Sequence, residues 1–320
     1  MKKRTKEGVR QNKGKPVGLI VVLAVVLLVV VILLAWQIRN WMLYTKAKDC
    51  YVAKEYAEAL ELYEQLGNYK DAEDQGDLCR INMAERYLNK KDLEHAKQWL
   101  ADVPQGKEKE QAEYHCDYVE AEQCMEAGDY EGAYDLYTAL AEHAYADAEK
   151  LEKDAEVKLA QQACENKIEE LGFEVGETYD EYYDDEGYKL FNFDDDEIEE
   201  LVVWEGECMP IDIYMYRNKS YEKIGTIDDR YLAYDRKSQI LLGEDYSDTA
   251  VPFALFSIKD GKIKKIAEGS YGDYNGKDRI CLDGKEIENL SWKEFLLKYG
   301  IEDEGAMEIV KDGYHGWGDG

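Results

Sequence analysis

Residues 17–36 read VGLIVVLAVVLLVVVILLAW, twenty positions without a charge. A helix over them rises about 1.5 Å per residue and is about 30 Å long, the thickness of a bilayer's hydrocarbon core. The run has no polar face, which argues against a helix half-buried in a soluble core. From Met42 the pattern changes to apolar positions three and four apart, the period of an amphipathic helix. After Gly172 it changes again, to short alternating segments bounded by turn residues, the period of strands. The pattern predicts an α-then-β order: one transmembrane helix, paired helices, and an antiparallel β-rich (α+β) domain.

The helical region repeats every 37 residues. Ala59, Ala96 and Ala133 are 37 apart, as are Tyr56, Leu93 and Tyr130. So are Tyr63, Leu100 and Tyr137, and Leu66, Val103 and Leu140. Within one unit these lie at i, i+3, i+7 and i+10, one face of a helix. Twelve residues before each alanine stands another, Ala47, Ala84 and Ala121, and Met42, Cys79 and Cys116 form a further set. The unit is a helix pair with a small residue where the two helices cross. Its turn is polar, at residues 53–55, 90–92 and 127–129. A lone pair cannot bury its apolar faces, so neighbours must stack. Cys50, Cys79, Cys116 and Cys124 fall on core positions and read as small buried hydrophobes.

This order of small, aromatic and polar-turn positions resembles a tetratricopeptide repeat over about residues 40–155. The period is 37 instead of the usual ~34, and Pro104 alone lies near the place of the family's closing proline. The resemblance implies an α-solenoid whose concave face takes a protein or peptide partner; the alternative is a plain spacer. Residues 145–171 predict a longer polar helix that caps the stack and stops at Gly172.

Strands are expected at 189–193, 200–204, 211–216, 222–227, 231–234, 239–242, 251–258, 263–266, 280–282 and 285–287. Ser291 to Glu294 is a capping box that opens a helix to Tyr299. Residues 303–320 read as a disordered tail.

Charge adds direction. Lys2, Lys3, Arg4, Lys6, Arg10, Lys13 and Lys15 precede the apolar run, against Glu7 alone. Basic residues stay in the cytoplasm, so residues 1–16 form a cytoplasmic tail, 17–38 span the membrane, and the rest is extracytoplasmic. A cleaved signal peptide is the competing reading. Its apolar core is normally ~7–15 residues, shorter than this run, and residues 34–36 make a poor cleavage site. The whole chain carries a net charge of −30, and all of that surplus lies beyond the span. Such a surface repels phosphate backbones, so no nucleic-acid partner is expected. Seven cysteines and four histidines show no metal-ligand spacing, and no hydrolase, zincin or Walker motif occurs. The chain is therefore expected not to be an enzyme.

The sharpest chemical feature is residues 192–201, NFDDDEIEEL. Oxygen-bearing side chains recur at Asn192, Asp194, Asp196 and Glu200, and the Ile198 carbonyl adds a fifth donor. Ca²⁺ takes six to eight such oxygens. The position twelve from the first ligand is Val203, so this is not an EF-hand. The loop, set within 188–204, resembles the acidic loops of FG-GAP and VCBS repeats. That resemblance implies Ca²⁺ held by Asn192, Asp194, Asp196 and Glu200; the alternative is an unmetallated acidic turn. Two departures are Asn at the first ligand and Glu197 at the turn glycine. A second acidic cluster, Asp180, Glu181, Asp184, Asp185 and Glu186, reads as a solvated linker. Three roles remain: a membrane-anchored, protein-binding surface scaffold of bacterial type, a Ca²⁺-dependent surface adhesion or sensor protein, and a surface enzyme.

Overall fold

The computed structural model describes residues 17–177, 179, 186–194, 196–205, 210–245, 250–259, 261–273, 278–282, 284–287 and 289–311. The basic tail, most of the second acidic cluster and residues 312–320 lie outside them. The chain divides into two compact units, Met1–Glu120 and Ala121–Gly320. The division falls inside a helix, well before the change from helices to strands after Leu171.

The first unit holds helices α1 (Val17–Val52), α2 (Tyr56–Leu66), α3 (Ala72–Leu88), α4 (Leu93–Ala101) and the greater part of α5 (Lys107–Ala127). Among the described residues, α1 is the one helix long and apolar enough to cross a membrane. The apolar run and the first helix of the repeat region, expected as separate elements meeting at residue 38, are one 36-residue helix, about 54 Å long. No Gly or Pro occurs from residue 19 to residue 66, so nothing breaks it. The large apolar side chains from Val21 to Leu34 are 43–65% exposed, whereas Asn40, Ala47 and Cys50 of the same helix are buried. Trp36 meets Tyr69 edge-to-face at 6.3 Å, and the Tyr44 hydroxyl donates to Asp71 at 2.7 Å. The helix is therefore packed into the unit from the end of its apolar run onward.

The 37-residue period is a geometric repeat. The six alanines at 47, 84, 121, 59, 96 and 133 are all fully buried. Between paired helices the chain turns through one left-handed residue at equivalent positions: Lys54 (φ 62°), Lys91 (φ 58°) and Gly128 (φ 78°). The following amide closes each turn, from Glu55 to the Cys50 carbonyl, Asp92 to Tyr87 and Asp129 to Cys124. This six-to-one bond satisfies a carbonyl that the helix end leaves free. Asp92 and Asp129 then cap the next helix by accepting from the amides of His95 and Gly132. Cys79 and Cys116 are buried as expected, but Met42 is 54% exposed. It sits on the first helix of the stack, which has no preceding hairpin to cover that face.

The second unit begins in α5 and continues through α6 (Tyr130–Glu142) and α7 (Ala148–Glu170). A four-stranded antiparallel sheet follows, β1 (Glu186–Phe191), β2 (Glu200–Glu205), β3 (Ile211–Arg217) and β4 (Ser220–Ile227), in that order. A seven-stranded antiparallel sheet comes next. It contains β5 (Tyr231–Asp235), β6 (Ile240–Glu244), β7 (Val251–Lys259), β8 (Lys262–Asp273), β9 (Asp278–Leu282), β10 (Lys285–Ile287) and β11 (Glu308–Lys311), ordered 10-9-8-7-6-5-11. A short helix, α8 (Trp292–Lys298), opens on the expected capping box.

The layers follow from alternation. Val202, Ile211, Ile213 and Ile227 of the small sheet pack with Leu232, Tyr234, Leu241 and Phe256 of the large one. The small sheet's other face, Tyr188, Leu201, Val203, Tyr214 and Tyr221, packs with Cys164 and Ile168 of α7. The large sheet's other face packs with Phe295 and Leu296 of α8. So α7 does more than cap the helices: it covers a sheet. Two strand expectations need correction. β8 runs on to Asp273, and part of the tail read as disordered, residues 303–311, forms a 3-10 turn and β11. β11 pairs antiparallel with β5, a contact across more than seventy residues that local pattern does not encode.

A left-handed residue costs a side chain that glycine lacks. Lys91→Gly is therefore expected to raise stability by ~0.5–1 kcal/mol, and Gly128→Lys to lower it by ~1 kcal/mol. Thermal unfolding of the full chain in nanodiscs measures both. Shifts of the same sign would contradict an equivalent left-handed turn at the two sites.

Candidate functional site

The acidic segment is the connection between β1 and β2, whose register pairs Phe191 with Glu200 and Leu190 with Leu201. Even-numbered residues of β2 face the large sheet, and Glu200 follows that rule: its side chain points inward and is 3% exposed. Its Oε2 accepts the amide of Phe193 at 2.8 Å. Phe193, set among acids, is itself buried. Its ring lies 4.7 Å from Phe191 and 5.2 Å from Tyr234. The Tyr234 hydroxyl donates to the Phe193 carbonyl. The loop is thus pinned through one aromatic residue, with its amide held by Glu200 and its carbonyl by Tyr234.

The remaining donors fold the loop on itself. Asp194 Oδ1 accepts the Asp196 amide at 3.3 Å, and Asp196 Oδ1 accepts the Ile198 amide at 2.7 Å. Asn192 Nδ2 donates to the Asp196 carbonyl. These are side-chain-to-backbone turns of the Asx kind. Asn192, Asp194, Asp196 and Ile198 therefore share one bonded turn, and Glu200 lies in its floor. Among the described residues, the one group of three or more Cys, His, Asp or Glu ligand atoms within 4.8 Å of one another is Cys50, Glu55 and Glu58. Asp194, Asp196 and Glu200 do not close to that distance. The donor types suit a hard cation, being carboxylate, amide and carbonyl oxygens, but they are engaged with the loop's own backbone and do not converge. Asp195 lies outside the described residues.

Burial sets the electrostatics. It pushes the Glu200 carboxyl up to about 8, and the nearby charges of Asp194 and Asp196 act in the same direction. Burial raises Asp196 as well. It lifts Glu244 of β6 to about 7 and Asp229, in the connection between β4 and β5, to about 6. The thiols of Cys79, Cys116 and Cys164 rise to about 11, so they stay neutral and poorly nucleophilic.

Sequence reasoning missed Phe193 and Tyr234, the residues that hold the loop. The signal for the first was on the page, since a lone aromatic in an acidic turn needs cover. The second came from a strand forty residues away and carried none. Comparison with protein families, with curated proteins and with solved structures finds no match.

The raised carboxyls fix the sign of a pH dependence. A group whose pKa rises on folding binds its proton more tightly in the native state. Its contribution is present at low pH and is lost as pH climbs through the folded value. Stability is expected to fall between pH 5 and pH 8, by up to ~1.4 kcal/mol per pH unit for each such group. In EDTA, Glu200→Gln should remove part of that slope and raise the Tm at pH 8 relative to pH 5. An unchanged slope would show that Glu200 is ionised in the folded protein.

Proposed function

We propose that the chain is a membrane-anchored display protein, with residues 1–16 in the cytoplasm and the helices and β-rich module outside. The anchor reading rests on α1. A continuous surface of exposed valines and leucines, left uncovered by the described residues, is stable in lipid and costly in water. The same helix is packed into the first unit by Trp36, Tyr44 and Ala47, which supports an anchor over a removable signal. The basic flank before the run and the acidic remainder after it support the orientation.

The helix pairs are read as divergent tetratricopeptide-like repeats that bind a protein or peptide. Their support is the buried-alanine crossing and the shared left-handed turn at a 37-residue period. The half-exposed surface of α3 is the binding face in this reading, with Met83 as an adaptable contact. No catalytic role is assigned.

Two measurements test this. Trypsin added to intact cells should degrade everything after residue 39 and spare the tail; a protected C-terminal portion would reverse the orientation. A photo-crosslinker at Met83 of the full chain should give a discrete adduct in cells. Its failure, with orientation intact, would reduce the repeats to a spacer.

A second reading is a Ca²⁺-dependent adhesion or sensor protein. Its support is the buried Glu200 carboxylate beside Asp194 and Asp196, an arrangement a cation would relieve. Ca²⁺ at 1 mM should then raise the Tm of the full chain, and Asp194→Asn with Asp196→Asn should abolish the rise. A ligand that binds only the folded state must raise the midpoint, so an unmoved Tm would rule the reading out.

A further inference from the structure

The small sheet's α7-facing side is covered incompletely. Register places Leu190 of β1 opposite Leu201 and on the same face as Tyr188. Leu201 and Tyr188 are buried, but Leu190 is 39% exposed and Val175, in the turn after α7, is 44% exposed. Between them lies a cavity of about 390 Å³. Its walls come from four places: the α7 face carrying Val157, Cys164 and Ile168, the 175–177 turn, Leu190, and Ile198 of the acidic loop.

The floor is apolar in effect, although two tyrosines reach it. The Tyr188 hydroxyl donates to the Glu174 carbonyl and accepts the Gly176 amide. The Tyr221 hydroxyl donates to the Glu199 carbonyl. Burial keeps the Cys164 thiol neutral. The mouth is the opposite. Glu165, Glu177, Glu197 and Glu199 line it and are exposed, and no Lys or Arg is among the lining residues. None of the four glutamates forms an ion pair among the described residues.

An apolar floor under a one-signed rim selects for a ligand with both characters. The volume lies in the range of small-molecule sites, which bury an apolar body and use a few polar groups for orientation. Low-dielectric walls strengthen the attraction of the rim for a cation. We infer that this cavity binds a small organic cation with an apolar body, an alkylammonium in chemical class, with its chain on the α7–β1 floor and its ammonium among the rim glutamates. This site needs neither a partner on the repeats nor a metal in the 192–200 loop, and it does not depend on which side of the membrane the module faces.

The test uses the full chain in phosphatidylcholine nanodiscs, with empty nanodiscs as the blank, and reads binding by calorimetry. Hexylammonium should bind saturably at one site. Hexanoate, with the same body and opposite charge, and tetramethylammonium, with the charge and no chain, should each bind at least tenfold more weakly. The exposed pair Glu165→Gln with Glu197→Gln should weaken hexylammonium at least fivefold while leaving the Tm in place. Leu190→Lys, at an exposed position of an edge strand, should abolish binding by placing a cation in the mouth. Hexanoate binding as tightly as hexylammonium would overturn the inference, as would full binding by either variant. A tighter complex with the peptide acetyl-Lys-Leu-Lys-amide would overturn the small-molecule assignment and make the cavity a peptide anchor site.

Discussion

The second unit depends on one constraint: β2 is apolar on both faces. Leu201 and Val203 point one way, Val202 and Trp204 the other, and all four are essentially inaccessible to water. A strand of that kind must be covered twice. The large sheet supplies one cover and α7 the other. From this follow the burial of Cys164 and Ile168, the grouping of α7 with the strands, and the need for α8 on the far side of the large sheet. The inward turn of Glu200 has the same origin. It occupies the first position of a strand whose even residues face the interior, so its carboxylate is buried by register before any chemistry is considered.

The first unit depends on an absence of breaks. A helix continues while nothing stops it, and α1 meets no Gly or Pro between the apolar run and Val52. Its two halves are packed differently. The first exposes its side chains on every side, and the second buries Ala47 and Cys50 against the next helix. Because one backbone serves both, any tilt of the apolar half is transmitted to α2 and α3 without a hinge. A flexible linker would decouple them.

Legibility tracked the range of the interactions. The helix pairs could be read because a close crossing tolerates only a small residue, which leaves alanine at fixed intervals. The strands from β1 to β7 could be read because one or both faces are buried, which imposes alternation or a continuous apolar run. β11 could not: residues 308–311, Glu-Ile-Val-Lys, become a strand only through pairing with β5. The last part of β8, residues 267–273, is small or polar apart from Tyr271 and owes its extension to β7 and β9. The acidic loop was legible as a cluster of oxygens and illegible as a structure. Its shape is set by Phe193 dropping into the core, and its donors are first engaged with their own backbone. Composition gave the inventory of donors, whereas register decided which of them faced inward.

The excess of acid has two different consequences in this chain. On most of the surface it is a solvated charge that favours solubility and disfavours polyanions. Where acids are buried or half-buried, as at Glu200, Asp229 and Glu244, the fold raises their pKa toward neutral pH and so limits its own repulsion. The α7–β1 cavity belongs to neither case. There the glutamates are exposed, yet they stand over apolar surface that α7 leaves uncovered. A bare apolar strip in water is unfavourable, and so is unscreened like charge around it. A single occupant with an apolar body and a positive end relieves both at once, which neither a neutral hydrocarbon nor a simple inorganic cation can do.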